Sequence, residues 1–263
     1  MSLEVSNLTK VFVVGLFKRK EIHAVDDVSF IVKPGKFVSL VGESGSGKTT
    51  TTKMILRLLR PTSGSIKFDD KNVWDLKRID ELRWYWKNVH AIFQDPYASY
   101  NPLHKIDRIL YQALTLIENP NTEGDSIVKK ALIEVGLRPN DVLGKYPHEL
   151  SGGQRQRIMV ARCFMLKPKL ILADEPISMI DASTRASVLQ LFSKLKEEYR
   201  TSVIFITHDL GLAYYVSDEI MIMHNGKIVE KGSPEEVMDN PQDSYTKRLR
   251  EDVPLMYRKW TGF

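Results

Sequence analysis

The residues best suited to chemistry lie in one glycine-rich stretch, Gly42–Thr50. Gly42 to Thr49 match the pattern G-x-x-x-x-G-K-[ST], which binds nucleotide phosphates when a strand precedes it and a helix follows. Its glycines let backbone N–H groups face the phosphates, and the start of the next helix adds partial positive charge. We predict that Lys48 contacts the β- and γ-phosphates of ATP and that Thr49 ligates Mg²⁺. The predicted nucleotide-binding residues here are Gly42, Glu43, Ser44, Gly45, Ser46, Gly47, Lys48, Thr49 and Thr50.

A pair of acids, Asp174-Glu175, follows the apolar run Leu170–Ala173. An aspartate at a strand end can hold Mg²⁺ through water, and the next glutamate is placed to polarise a water that attacks the γ-phosphorus. Alone, such a pair is more often a solvated loop or a helix cap. The phosphate loop elsewhere in the chain favours the catalytic interpretation.

Four short apolar runs share one property, a polar residue directly after the run. They are too short for helices and rich in β-branched residues, which predicts strands buried on both faces of a sheet. Helical segments separate them, so we expect parallel crossover units, an α/β fold, and a site at the carboxyl ends of the strands. The runs are Lys36–Val41 before Gly42, Val89–Phe93 before Gln94, Leu170–Ala173 before Asp174 and Ser202–Thr207 before His208.

Other segments have different patterns. Leu3–Val14 and Ile22–Val32 are expected to pair antiparallel, and Asn225-Gly226 indicates a hairpin. Helical stretches replace the strand pattern between Asp95 and Leu150, namely Ile106–Ile117 and Ser126–Val135, which predicts a helical subdomain inserted in the core. The helices expected around the core strands are Lys48–Leu59 and Thr184–Tyr199, with a further helix capped by Ser233.

The composition is typical of a globular protein, with 263 residues of which 43% are hydrophobic and 27% charged. No apolar run approaches the roughly 18 residues that cross a bilayer, and the N-terminus lacks a secretion signal, so we expect a cytosolic location. The single cysteine, Cys163, excludes an intramolecular disulfide and is expected to be a buried structural thiol. A net charge of +5 permits a nucleic acid or an anionic membrane as partner but selects neither.

The segment Leu150–Gln154, with the sequence Leu-Ser-Gly-Gly-Gln, narrows the class. It lies between the phosphate loop and the acid pair and precedes the helix-like stretch Arg155–Arg162. This order resembles the ATP-binding cassette (ABC) ATPases over nearly the whole chain, and Leu150–Gln154 matches the signature motif of that family in full. The resemblance implies an α/β fold with the RecA-like parallel sheet core of a P-loop NTPase, an antiparallel β subdomain and an inserted helical subdomain. The implied domains are residues 1–94, the N-terminal part of the ATP-binding core with the antiparallel β subdomain; 95–160, the helical subdomain with the signature motif; 161–232, the C-terminal part of the core; and 233–263, a C-terminal helical extension.

In that family two cassettes pack head to tail, so that each ATP lies between one phosphate loop and the partner's signature. The resemblance implies that Ser151 and Gly153 contact the γ-phosphate bound on the other subunit. It also implies a catalytic glutamate at Glu175 and a γ-phosphate contact at His208. Gln94 would sense Mg²⁺ and the attacking water. The remaining implied nucleotide contacts are Phe12, which stacks on adenine, Gly152 and Gln154 of the signature, and Asp181, which bridges the two sites.

A narrower resemblance is to the oligopeptide/dipeptide importer branch, carried by Phe93–Ser99 with Asn101-Pro102 and by Tyr146–Arg157. Some members of that branch with the wording found at Ser178–Asp181 and Thr207–Tyr215 import oligosaccharides. Peptide and di- or oligosaccharide cargo therefore both stay open.

The resemblance also implies partners at the cytoplasmic face of the cell membrane. These are two transmembrane permease subunits docked near Gln94 to Asn101, a second ATPase subunit that is identical or similar, and indirectly an extracytoplasmic solute-binding protein. The alternative is a non-transport ABC ATPase acting on nucleic acid or ribosomes, which the basic charge slightly favours. The chain lacks the long coiled-coil insertion or second cassette of such relatives, so no nucleic-acid partner is expected.

Overall fold

The computed structural model describes residues 2–15, 19–94, 100–117 and 123–253. The chain forms two compact units, Met1–Leu76 with Ile204–Phe263 in the first and Lys77–Val203 in the second. The strands are β1 (Leu3–Val14), β2 (Lys20–Val32), β3 (Phe37–Val41), β4 (Ser63–Phe68), β5 (Lys71–Asn72), β6 (Val89–Ile92), β7 (Leu170–Asp174), β8 (Ser202–Thr207), β9 (Glu219–His224) and β10 (Lys227–Gly232). The α-helices are α1 (Lys48–Ile55), α2 (Ile79–Asn88), α3 (Asp107–Leu114), α4 (Gly124–Glu134), α5 (Pro139–Val142), α6 (Gly152–Leu166), α7 (Ala182–Tyr199), α8 (Leu210–Val216), α9 (Pro234–Asp239) and α10 (Ser244–Glu251).

An antiparallel sheet in the first unit has the strand order β2-β1-β4-β5. Leu3 pairs with Val32 and Val14 with Lys20, which confirms the predicted pairing of the first two strands. Leu3 and Val5 are buried on one face, as the alternation of side chains in a strand requires.

The strand that leads into the phosphate loop also belongs to the first unit. All five residues of β3 are buried, and β3 pairs parallel to β9. Strand β9 returns antiparallel as β10 through Asn225 and Gly226, both at positive φ, which confirms the predicted hairpin. Helices α8, α9 and α10 pack on this sheet through one apolar core that includes Val41, Ile222 and Tyr245.

Helix α1 is shorter than the sequence predicted. It ends at Ile55 rather than Leu59. Arg57 has φ 60°, a left-handed conformation that stops the helix, and the N–H groups of Leu58 and Leu59 turn back to the Lys53 carbonyl. Local turn geometry, rather than the apolar pattern, therefore sets the end of this helix.

In the second unit, β6 and β7 pair parallel, from Val89 opposite Leu170 to Ile92 opposite Ala173. The predicted helical stretches are present as α3 and α4. Gly136, with φ 73°, lies just past α4 and allows the chain to turn there. Parallel strand pairs, an antiparallel sheet and intervening helices together confirm the α/β class.

Cys163 is 1% exposed on α6, and burial raises the pKa of its thiol to about 12, which confirms a buried structural cysteine. Among the residues with described structure, no helix has the length and apolarity that crossing a bilayer requires.

Residues 95–99 of the Phe93–Ser99 motif and residues 254–263 of the expected C-terminal extension lie outside the described part. The domain boundaries expected from the resemblance stay predictions.

Candidate functional site

The Gly42–Thr50 stretch begins directly after β3, and its last three residues form the start of α1. The strand and helix required around a phosphate-binding loop are therefore both present. Lys48 is only 6% exposed, and its ammonium group donates to the Gly42 and Glu43 carbonyls at 2.6 and 2.7 Å. The positive charge is therefore held within the loop. That placement suits an anionic group bound by the same residues.

Two glycines of the loop are required by close packing within the first unit. A Cβ on Gly42 would lie 2.1 Å from the Met223 carbonyl oxygen, and one on Gly47 would lie 2.4 Å from that of Ala24. Gly45, with φ 83°, would meet nothing within 4 Å. The loop is thus packed on the Gly42 and Gly47 sides and open at Gly45, a shape that fits a phosphate group against backbone N–H groups.

His208 belongs to the same unit as this loop. The N–H of Gly42 donates to the Thr207 carbonyl at 3.3 Å. Thr207 is the last residue of β8, so His208, the next residue, lies close to the start of the loop. The His208 side chain is exposed.

Phe12 on β1 is 37% exposed, and the Lys10 ammonium lies 5.2 Å from its ring centroid. An exposed aromatic face is available there for stacking.

In the second unit, Asp174 is the last residue of β7 and is 7% exposed. Glu175 follows in a left-handed conformation with φ 44°. Ser178 stabilises this turn, because its N–H and hydroxyl both donate to the Glu175 carbonyl, at 3.2 and 3.0 Å. The extended strand therefore ends at Asp174, directly before Glu175. Carboxylate oxygens at this position are ligands that Mg²⁺ accepts.

Gln94 and Glu175 come together through the register of their strands. Ile92 lies opposite Ala173 in the parallel pair, so the residues two positions further on are also neighbours. The Gln94 amide nitrogen donates to the Glu175 carboxylate at 2.8 Å. The structure therefore fixes the orientation of a potential general base through a side-chain amide.

The Leu150–Gln154 segment forms the start of α6. The Ser151 hydroxyl accepts from the Gln154 N–H at 3.2 Å, and the Gln154 side chain accepts from the Ser151 N–H at 2.9 Å. This reciprocal capping satisfies two helix-end donors and begins the helix at Gly152. Ser151 itself is exposed, and Gly152 to Gln154 are half-buried.

Glycines at the start of α6 allow a close approach of the segment before α7 and of the first turn of α7. A Cβ on Gly152 would lie 3.3 Å from the Met179 carbonyl oxygen, and one on Gly153 would lie 3.0 Å from the Thr184 methyl group. Asp181 lies in this segment, at the position preceding α7, with its side chain exposed. The structure thus brings Asp181 and the Ser151–Gln154 segment to one location.

Two contacts from α10 to the phosphate loop were not predicted from the sequence. The Glu43 N–H donates to the Tyr245 hydroxyl at 2.8 Å, and the Glu43 carboxylate lies 3.4 Å from Arg248. Both partners belong to α10, about 200 positions along the chain from Glu43. No local pattern around Tyr245 indicates this role.

Comparison with known proteins adds a family to this geometry. A family model described as ABC transporter matches residues 25–178. The chain is 40% identical over 263 residues to the oligopeptide transport ATP-binding protein AppF of Bacillus subtilis, covering 98% of this chain and 79% of that protein. It is 43% identical over 255 residues to OppF, an oligopeptide transport ATP-binding protein of Streptococcus mutans, covering 96% and 81%.

Solved structures give the same result for the fold. The chain is similar to the ATP-binding cassette MJ0796 in a dimeric post-hydrolysis state bound to ADP and Pi, with a TM-score of 0.78 and 28% identity over 88% of this chain and 98% of that one. CbiO1 of Clostridium perfringens has a TM-score of 0.75 at 23% identity over 97% and 96% of the two chains, a likeness that concerns the fold alone.

Proposed function

We propose that this chain, which belongs to the ABC transporter family and is one of its ATP-hydrolysing subunits, energises the import of oligopeptides. The peptides would cross the membrane through separate permease subunits. Both sequence relatives described above are named oligopeptide transport ATP-binding proteins, and each match covers more than 95% of this chain. These names favour transport over the alternative of an ATPase acting on nucleic acid or ribosomes.

The hydrogen bond from Gln94 to Glu175 is the observation that best supports the proposed chemistry. Glu175 would accept a proton from the water that attacks the γ-phosphorus, and Gln94 would keep the carboxylate aligned with that water. Hydrolysis of this kind depends on positioning and charge neutralisation, so a carboxylate fixed at a strand end is well suited to it.

Residues of the phosphate loop would bind the substrate. Lys48 would neutralise charge on the β- and γ-phosphates, while the loop's N–H groups and the start of α1 would hold the phosphate oxygens. Thr49, Asp174 and the amide oxygen of Gln94 offer the oxygen ligands that Mg²⁺ prefers, and the ion would neutralise further charge on the phosphates. Phe12 would stack on adenine, and His208 would contact the γ-phosphate.

The start of α6, with its exposed capping residue Ser151, is proposed to act on a nucleotide held by a second ATPase subunit. Ser151 and Gly153 would offer a hydroxyl and a backbone N–H to its γ-phosphate, strengthened by the partial positive charge of the helix start. Asp181 lies beside this surface and would link the two nucleotides. The second subunit is either another copy of this chain or a similar chain.

Closure and reopening of this dimer would drive two permease subunits at the cytoplasmic face of the membrane. An extracytoplasmic solute-binding protein would deliver the cargo. Because the ATPase would not touch the cargo, its own site does not distinguish a peptide from a saccharide as the cargo. A di- or oligosaccharide is the second candidate, and the sequence wording at Ser178–Asp181 and Thr207–Tyr215 favours it.

Membrane vesicles holding the chain with its genomically neighbouring permeases and solute-binding protein would test the proposal. We expect a pentapeptide to stimulate ATP hydrolysis severalfold and to accumulate inside the vesicles, with cellotriose and maltotriose inert. Stimulation by the saccharides alone would support the second candidate. Stimulation by DNA or ribosomes, with no effect of permeases, would reverse the choice between transport and the nucleic-acid alternative.

A further inference from the structure

The packed side of the phosphate loop carries a contact that the proposed hydrolysis does not use. Tyr245, the second residue of α10, is 5% exposed, and its hydroxyl accepts the Glu43 N–H at 2.8 Å. We propose that Tyr245 is a positioning residue for ATP: its hydroxyl holds the first turn of the phosphate loop in the conformation that binds phosphate. This inference rests on the proposed role of Gly42–Thr50.

The Tyr245 ring is itself fixed by a second contact. It stacks on the His224 ring, with centroids 3.9 Å apart and an angle of 23° between the planes. His224 ends β9, and two residues later the Gly226 N–H donates to the Ser46 carbonyl at 2.9 Å. The loop is thus held at two points, at Glu43 by the Tyr245 hydroxyl and at Ser46 by Gly226 of the β9–β10 hairpin. The same hairpin contacts the Tyr245 ring through His224.

Burial makes the hydroxyl contact more consequential than the neighbouring ion pair. Tyr245 lies in the same apolar core as Val41, the residue just before the loop, so its position is set by packing. Burial raises the pKa of the Tyr245 hydroxyl, which therefore stays neutral at physiological pH. Arg248 and the Glu43 carboxylate are 3.4 Å apart on the surface, where such pairs contribute little.

The consequence concerns ATP binding more than the chemical step. Without the hydroxyl, the Glu43 N–H has no acceptor on α10. Lys48 still donates to the Gly42 and Glu43 carbonyls, but this part of the loop is less restrained and more often takes conformations that do not bind phosphate. The apparent affinity for ATP is proportional to the fraction of molecules whose loop is in the conformation that binds phosphate, so it falls as that fraction falls. A single hydrogen bond of ordinary strength changes that fraction by about fivefold. Glu175 and Gln94, which are expected to act on water, are not part of this contact.

Tyr245→Phe tests the inference, because it keeps the ring, its stacking and its burial. We expect KM and the equilibrium dissociation constant for ATP to rise about fivefold, with kcat within twofold of wild type. Tyr214→Phe is the matched control, since Tyr214 packs partly buried against the same core. It should leave KM unchanged. A purely structural role of Tyr245 would instead lower Tm and the active fraction and leave KM unchanged.

Lys48→Ala separates failure of the inference from failure of its premise. If Lys48→Ala abolishes ATP binding while Tyr245→Phe keeps a wild-type KM, Tyr245 has no positioning role and the phosphate loop stands. An equal rise in KM for Tyr214→Phe would also overturn the inference, because it would indicate general loosening of the core. If Lys48→Ala binds ATP normally, the assignment of Gly42–Thr50 fails and the inference fails with it.

Discussion

The side-chain amide of Gln94 donates a 2.8 Å hydrogen bond to the carboxylate of Glu175. The two residues follow neighbouring parallel strands, each two positions beyond the pair of Ile92 and Ala173, so a single register places both. Glu175 is also in a left-handed conformation, which is unfavourable for a residue with a side chain and is stabilised here by Ser178. This arrangement orients a carboxylate, as general base catalysis requires.

Glu175→Gln is expected to reduce ATP hydrolysis by about 100-fold or more, because the amide cannot accept the proton of the attacking water. ATP affinity should stay within twofold, since the side chain keeps its size. Phosphate release and equilibrium ATP binding measure the two quantities. Glu197→Gln, at an exposed site on α7, is the control and should be fully active. Near-normal hydrolysis in Glu175→Gln would remove Glu175 from the role of base.

Gln94→Leu is expected to slow hydrolysis by about 10- to 100-fold, because a hydrogen bond to a charged group contributes roughly 1.5–3 kcal/mol. The free energy of unfolding should change little, since Gln94 is exposed. Gln112→Leu, at an exposed position on α3, is the matched control. A wild-type rate in Gln94→Leu would mean that the observed hydrogen bond does not serve the reaction.

Ser151→Arg is expected to lower hydrolysis by about 100-fold, the scale of losing a donor to transition-state charge, while leaving ATP binding to the monomer unchanged. Ser233→Arg is a close control, because Ser233 caps α9 with the same reciprocal bonds that Ser151 makes at α6. Both variants lose a cap and gain a cation at a helix start. Equal activity of the two would count against a role for Ser151 at a partner's nucleotide.

Gly45→Ala and Gly47→Ala separate backbone strain from steric clash. Both glycines have positive φ, so each alanine costs about 1 kcal/mol of folding free energy in strain. Only the Gly47 position adds a backbone oxygen 2.4 Å from the new Cβ. We expect Gly47→Ala to lower the free energy of unfolding by about 2 kcal/mol more than Gly45→Ala, as in other overpacked sites. Denaturant titration measures the free energy of unfolding of each variant. Equal decreases for Gly45→Ala and Gly47→Ala would contradict a steric clash at Gly47.

His90 is expected to make the protein sensitive to acid. Burial, with a smaller effect from the Arg162 charge, lowers the pKa of its imidazole to about 3. An unfolded histidine titrates near 6.5, so between those values only the unfolded state binds the proton. The free energy of unfolding therefore falls as the pH is lowered through this window, by up to about 1.4 kcal/mol per pH unit.

Chemical denaturation at pH 6.5 and 4.5 tests this expectation. His90→Gln keeps a side-chain donor but does not titrate, so its loss of stability between the two values should be smaller than that of the wild type. His23→Gln, at an exposed site, should keep the wild-type dependence. The same dependence in all three proteins would show that His90 does not contribute.

Local features of this protein follow from the sequence alone. The phosphate loop, the Ser151 and Ser233 caps and the Asn225-Gly226 hairpin each depend on residues within a few positions of one another. Their backbone preferences and short-range hydrogen bonds are encoded by covalent neighbours. The strands that precede Gln94 and Glu175 were also predictable, because apolar runs of this length form buried strands.

Only the tertiary structure determined which of these features meet. Gln94 and Glu175 are 81 positions apart, and their contact depends on a strand register that no single segment specifies. Tyr245 reaches Glu43 across 202 positions, because packing of the C-terminal helices on the β3 and β9 sheet carries its hydroxyl to the loop. Long-range contacts of this kind result from how whole elements bury their apolar faces against one another, which is a property of the folded chain.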